Sequence, residues 1–271
     1  MSINRKVAFI TGASSGIGKA IAMHFLKLNY KVYGTSRKKT EQKEDNIFFL
    51  QMDVNDDISV QKACQEFTSK ENNLDLLINC AGLGINGSVE EMPINEVKSV
   101  FETNFFGPLR VCQQLIPLMR KQKKGHIINV SSIAGEAGLP FRGFYSASKF
   151  ALEGMTESLR MELRAYNIKV CLLQPGDFNT NIANARKGTG IPKNSPYQKF
   201  LEQMEQQIEE GMNKSPKPDC VGPFVENIIK KKNPKLRYRV GAKLETITPI
   251  LKCILPYKIY EALILKFYNM K

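Results

Sequence analysis

Short apolar runs alternate with amphipathic stretches along most of the chain. Val7–Thr11 is apolar up to its last residue, the pattern of a parallel strand covered on both faces. Ile17–Leu28 follows with apolar residues at helical spacing. Lys31–Ser36, Ile47–Asp53, Leu74–Asn79, Gly125–Ser132 and Ile168–Gln174 repeat the strand pattern, with Arg237–Val240 as a last short strand. Ser59–Lys70, Ile94–Lys121, Gly143–Tyr166 and Asp219–Lys232 repeat the helical one. Strands alternating with helices predict a single doubly wound α/β domain around a parallel central sheet.

The alternation loosens after Pro175. Asp177–Lys217 is polar and broken by Gly188, Gly190, Pro192, Pro196 and Pro216, with one helix expected from about Tyr197 to Met212. A long excursion of this kind reads as a substrate lid, about 177–218. The domain is expected over 1–243, and 244–271 as a helical extension of it. There Thr248-Pro249 reads as a cap followed by a first-turn proline, and Leu255-Pro256 as the start of a second short helix. Ile250, Leu251, Ile254, Ile259, Leu263, Ile264 and Phe267 dominate one side, interrupted by Lys252, Lys258 and Lys266. Two uses stay open for this face: a flap over the pocket or dimer contact, or peripheral membrane contact through 249–268.

Composition narrows the class. With 271 residues, 42% hydrophobic and 24% charged, the chain has an ordinary globular balance and enough length for a core. No apolar run is long enough to span a bilayer. A strand starts almost at once, so no secretory signal is expected. Six cysteines without a CxxC pair, and only two histidines, argue against a metal site and suit a reducing, cytoplasmic setting. The net charge of +13 favours anionic ligands, but no nucleic-acid motif accompanies it.

Candidate chemistry begins at the first strand–helix junction. Gly12, Ser14, Ser15, Gly16, Ile17 and Gly18 form a glycine-rich turn with GxxxGxG spacing. Such a turn lets the backbone approach a pyrophosphate and aims the free N–H groups of a helix start at it. After the second strand comes Ser36-Arg37 where an acid would hold a ribose hydroxyl. Arg37 can pair two-pronged with a 2′-phosphate, so NADP(H) is preferred, with NAD(H) still open.

Tyr145 and Lys149 are four residues apart and share a helix face. A nearby ammonium favours the phenolate, which makes tyrosine useful as an acid/base near neutrality. Ser132 ends the preceding strand, at the carboxyl edge where open α/β sheets bind ligands.

Taken together, TGASSGIG at 11–18, Asp53, Asn79-Cys80-Ala81-Gly82, Asn104, Ser132, Tyr145, Lys149 and Pro175-Gly176 resemble the short-chain dehydrogenase/reductase family, classical type. The resemblance implies a Rossmann-type fold and an oxidoreductase moving hydride between nicotinamide and a carbonyl or alcohol. It implies a tetrad in which Tyr145 is the acid/base, Ser132 polarises the carbonyl, Lys149 binds the nicotinamide ribose and lowers the tyrosine pKa, and Asn104 holds a relay water. It also implies that Asp53 and Val54 meet the adenine edge, that Asn79, Ala81 and Gly82 lie beneath the adenosine ribose, and that Pro175, Gly176 and Thr180 meet the nicotinamide. Cys80 replaces a common asparagine, and Ser15 stands where many NADP-preferring members carry a basic residue.

The apolar tail resembles that of hydroxysteroid and retinol dehydrogenases, which points to a bulky apolar ketone or alcohol. Phe141, Phe144, Phe178 and Ile182, flanking the catalytic helix and the lid, are the expected pocket residues. A homodimer or homotetramer is expected through the Ile94–Lys121 and Gly143–Tyr166 helices. A 3-oxoacyl thioester reductase and a non-catalytic NADP(H)-sensing regulator remain as alternatives.

Overall fold

A computed structural model describes residues 5–38, 43–179 and 194–270. The strands are β1 (Val7–Ile10), β2 (Lys31–Ser36), β3 (Lys43–Glu44), β4 (Ile47–Gln51), β5 (Leu76–Asn79), β6 (Gly125–Val130), β7 (Ile168–Pro175) and β8 (Arg237–Val240). They form one sheet in the order β3-β4-β2-β1-β5-β6-β7-β8. All neighbours pair in parallel except β3 with β4. The short β3 edge was not expected from the sequence. It folds back through Asp45 and Asn46, both at positive φ (50° and 64°), a two-residue turn suited to a hairpin. Two polar residues carry no periodic signal.

The helices on the two faces are α1 (Gly16–Lys27), α2 (Asp57–Lys70), α3 (Ile94–Phe101), α4 (Gly107–Gln122), α5 (Gly143–Glu162), α6 (Gln198–Lys214), α7 (Val221–Ile229), α8 (Lys243–Ile254) and α9 (Tyr257–Phe267). Successive strand residues point to opposite faces. Val7, Phe9, Leu77 and Ile127 pack against Val60 and Phe67 of α2 and Val111 and Leu115 of α4. Ala8, Ile10, Ile78 and Ile128 face Ile21 and Phe25 of α1 and Val225 of α7. Both faces are therefore apolar, which is why the strands read as continuous hydrophobic runs.

Two expected elements differ. The helix expected over Ile94–Lys121 is interrupted by a π-helical turn at Glu102–Phe106, which carries Asn104. The helix expected to open at Thr248-Pro249 opens at Lys243 instead. Gly241 leaves β8 with φ 144°, and Ala242 turns the chain into α8 at once. Pro249 thus falls inside the helix and gives up the bond to the carbonyl of Glu245. The hydroxyl of Thr248 does not cap; it donates to the carbonyl of Leu244 at 3.2 Å. No helix among the described residues is long and apolar enough to cross a membrane.

Strand order places the site. The chain runs outward from β1 through β2 and β4, then returns to β5 on the other side. A crevice opens at such a switch, beyond the carboxyl ends of the strands.

Candidate active site

That crevice is a cleft of about 320 Å³. Gly12, Ser14, Ser15, Gly16, Ile17 and Gly18 line it. Thr11 anchors the loop: its hydroxyl accepts from the backbone N–H groups of Cys80 (2.9 Å) and Ala81 (3.0 Å). Gly12, at φ 66°, lies so close to β5 that a Cβ would meet the Cα of Ala81 at 3.0 Å. A Cβ on Gly18 would collide with the carbonyl oxygen of Gly12. These glycines let the start of α1 close onto the strand edge. Ser15 precedes α1 in extended conformation without a side-chain cap, and the first turn holds no acid. A helix start with open donors and no competing carboxylate fits a phosphate-bearing dinucleotide.

Ser36, Arg37, Asp53 and Val54 line the cleft beyond β2 and β4. The carbonyl of Arg37 accepts from the Gln51 side chain at 3.3 Å, which ties this turn to β4. Asp53 Oδ1 accepts from the N–H of Asn55 at 3.0 Å, so part of its carboxylate shapes its own turn. Ala81 and Gly82 line the cleft, whereas Asn79 does not. Asn79 is buried, and its Nδ2 donates to Asn129 Oδ1 at 2.8 Å and Cys112 Sγ at 3.3 Å. Asn79 and Asn129 are partners in the β5–β6 register, so this amide holds two strands together.

At the ends of β6 and β7 the tetrad residues converge. Tyr145 and Lys149 face the cleft from α5, with Ser132 beside them. Lys149 is 4% exposed; its Nζ donates to the carbonyl of Val130 at 2.9 Å and lies 5.9 Å from the Tyr145 ring centre. Ser132 is extended, and its Oγ accepts from the N–H of Ala134 at 3.2 Å. Asn104 is fully buried behind the cleft wall. Its Oδ1 accepts from the N–H of Leu83 at 2.8 Å, and its Nδ2 donates to the Leu83 carbonyl at 2.9 Å and to Ser148 Oγ at 3.0 Å. Ser148 in turn donates to the carbonyl of Tyr145 at 2.7 Å. The π turn thus brings Asn104 into bonds with the loop after β5 and with α5. Such bulges recur at functional sites because they re-aim one side chain.

A short chain dehydrogenase family model matches residues 6–189. The chain belongs to the short-chain dehydrogenase family. It is an NAD(P)-dependent oxidoreductase of the CH–OH/carbonyl pair. It is 39% identical to a 3-ketodihydrosphingosine reductase of Bacteroides thetaiotaomicron, over 98% of this chain and 99% of that protein. It is 35% identical to an NADPH-dependent 3-dehydrocapnine reductase of Ornithobacterium rhinotracheale, over 88% and 89%. Among solved structures, a short-chain dehydrogenase of Streptomyces avermitilis superposes with a TM-score of 0.81 at 27% identity, covering 99% and 97%.

The remaining expected contacts of this dehydrogenase divide. Pro175, Gly176 and Phe178 line the cleft. Thr180 and Ile182 lie outside the described residues. Phe141 and Phe144 are not on the cleft lining. Phe141 packs edge-on to Tyr197 beside α6, with ring centres 5.9 Å apart. Phe144 packs with Ile85, Met92 and Val100. Both rings serve the packing around the site, because the loop 139–141 and the start of α5 face neighbouring elements. Cys80 does line the cleft, and burial pushes its thiol up to about 12 against the opposing influence of Lys149. Two charged lining residues carried no sequence signal of their own. Asp177 follows the Pro175-Gly176 pair, and Arg142 sits three residues before Tyr145.

Proposed function

We propose that this dehydrogenase uses NADPH to reduce the ketone of a long-chain lipid, with Tyr145 as the proton donor. The carrying observation is the pairing of Tyr145 and Lys149 on the cleft wall that Arg37 also lines. β2 and β6 are three strand spacings apart, roughly 14 Å, which suits a dinucleotide lying across the strand ends. A bound nicotinamide supplies the hydride. Tyr145 gives its phenolic proton to the substrate oxygen; in the reverse direction its phenolate takes that proton back. Ser132 hydrogen-bonds the same oxygen. Lys149 favours the phenolate, and its bond to the Val130 carbonyl fixes where its charge sits. Arg37 favours NADPH by pairing with the 2′-phosphate.

The lipid reading draws on the similarity to the 3-ketodihydrosphingosine and 3-dehydrocapnine reductases. It keeps the expectation of a bulky apolar ketone and replaces the steroid- or retinoid-like shape with a long chain. The C-terminal helices support it. Leu244, Ile247, Ile254, Tyr257, Ile259, Leu263 and Phe267 are exposed on α8 and α9, with Lys258 and Lys266 among them. We read this face as resting on an anionic bilayer, since apolar side chains interspersed with cations suit that surface. Flotation with phosphatidylserine vesicles tests it, and protein remaining at the bottom of the gradient refutes it.

The decisive assay follows NADPH consumption with 3-ketodihydrosphingosine. Turnover is expected, and its loss in Tyr145→Phe with NADPH binding retained. Turnover persisting in that variant would sink the role given to Tyr145. Failure to reduce this or shorter 3-keto lipids would sink the substrate class.

A further inference from the structure

Arg142 is only 6% exposed, yet it carries a full charge. It occupies the position just before α5, with φ −123° and ψ 23°, and makes no side-chain cap. A cation is an unfavourable choice there, since a helix start prefers Ser, Thr, Asp or Asn and repels positive charge. The preceding Phe141 sits at φ 54°, a left-handed conformation unusual for an aromatic residue. Two local costs at one helix entry call for a compensating use.

The side chain shows where it is spent. The Arg142 guanidinium carbon lies 5.0 Å from the centre of the Tyr145 ring, and Lys149 Nζ lies 5.9 Å from it. The catalytic ring therefore has two buried cations, one a turn before it and one a turn after. Arg142 also hydrogen-bonds the hydroxyl of Tyr268, directly beyond α9, and interacts with Asp177. Tyr268 is itself buried, in a cluster with Leu201, Met204 and Ile208 of α6. The contact thus joins the C-terminal helices and α6 to the catalytic helix.

We propose that Arg142 is a positioning residue for Tyr145: a second buried cation that stabilises the phenolate, held in place by the C-terminal Tyr268. The inference rests on the acid/base role given to Tyr145 above. The ionisable groups facing this ring neighbourhood are Arg142 just before α5, Lys149 of α5, Asp177 after β7, Glu245 of α8, Tyr268 after α9, and Cys80 after β5. Burial works against the charge on Arg142, but Asp177, Tyr268 and Tyr145 outweigh it and raise its pKa above the ordinary arginine value. Burial and Asp177 raise the pKa of Glu245, and the Arg142 charge opposes them.

The test reads Tyr145 directly. Protein labelled with carbon-13 at the tyrosine Cζ is titrated by NMR, with the Tyr145 resonance assigned by its absence in Tyr145→Phe. Arg142→Gln is expected to raise the Tyr145 midpoint by about one pH unit, and Arg142→Lys to restore most of that shift. Tyr268→Phe keeps both charges and releases the tether; a smaller upward shift is expected. An unmoved midpoint in Arg142→Gln overturns the proposal. Should that variant not fold, an unmoved midpoint in Tyr268→Phe overturns it. A shifted midpoint together with undiminished turnover in Tyr145→Phe keeps the electrostatic coupling and sinks only the acid/base reading.

Discussion

Lys149 spends one of its three donors on the carbonyl of Val130, 2.9 Å away, and so locks its ammonium between α5 and the end of β6. The lock explains how a long flexible side chain holds its charge in one place beside Tyr145.

Lys149→Met is therefore expected to lower kcat by about 100-fold or more. Steady-state kinetics at saturating NADPH checks it. A kcat within a few-fold of wild type would show that the ammonium is dispensable.

Arg37 is exposed at the cleft rim. Arg37→Ala is expected to raise the KM for NADPH by about 10-fold or more, as the loss of a charge-assisted pair implies, and to leave that for NADH nearly unchanged. Parallel titrations with the two cofactors decide it; equal losses for both would mean Arg37 does not read the 2′-phosphate.

His126 of β6 gives the fold a pH dependence. Burial, followed by the charges of Lys169 and Lys6, lowers its pKa from 6.5 to about 4. The folded protein thus keeps His126 neutral where the unfolded chain would protonate it. Its contribution is present above pH 6.5 and is lost as pH falls toward about 4. The slope is at most about 1.4 kcal/mol per pH unit. Denaturant melts between pH 7 and 4.5 should show a shallower decline in His126→Phe than in wild type; equal slopes would refute the assignment.

At the start of β8, Arg237 donates from Nε to Glu153 Oε2 at 2.8 Å and also bonds Glu157. Glu153 is nearly inaccessible; its Oε1 accepts from Gln174 at 3.0 Å, and burial raises its pKa. Removing one partner of such a pair leaves a buried charge, so Arg237→Met is expected to cost about 3 kcal/mol. The fall in Tm measures this, and adding Glu153→Gln should recover part of it. A double variant less stable than Arg237→Met would contradict the account.

Much of this was readable along the chain, for local reasons. Buried parallel strands must be apolar on both faces, so they stand out as runs. Close approach at Gly12 and Gly18 admits no side chain, so the loop is written in glycines. Tyr145 and Lys149 share a face because four residues make about one turn. What the sequence by itself determined was thus the succession of strands and helices apart from the short β3, the glycine loop at the start of α1, and the shared helix face of Tyr145 and Lys149.

Tertiary structure decided the rest, because it depends on which distant segments meet. The sequence offers Asn79 as a cofactor residue, and only the fold shows its amide bonded to Asn129 across two strands. Thr248-Pro249 has the grammar of a helix start, but Gly241 at the end of β8 starts α8 earlier. Arg142 has no motif at all. Its meaning comes from Tyr268, 126 positions later, closing onto the helix that carries Tyr145.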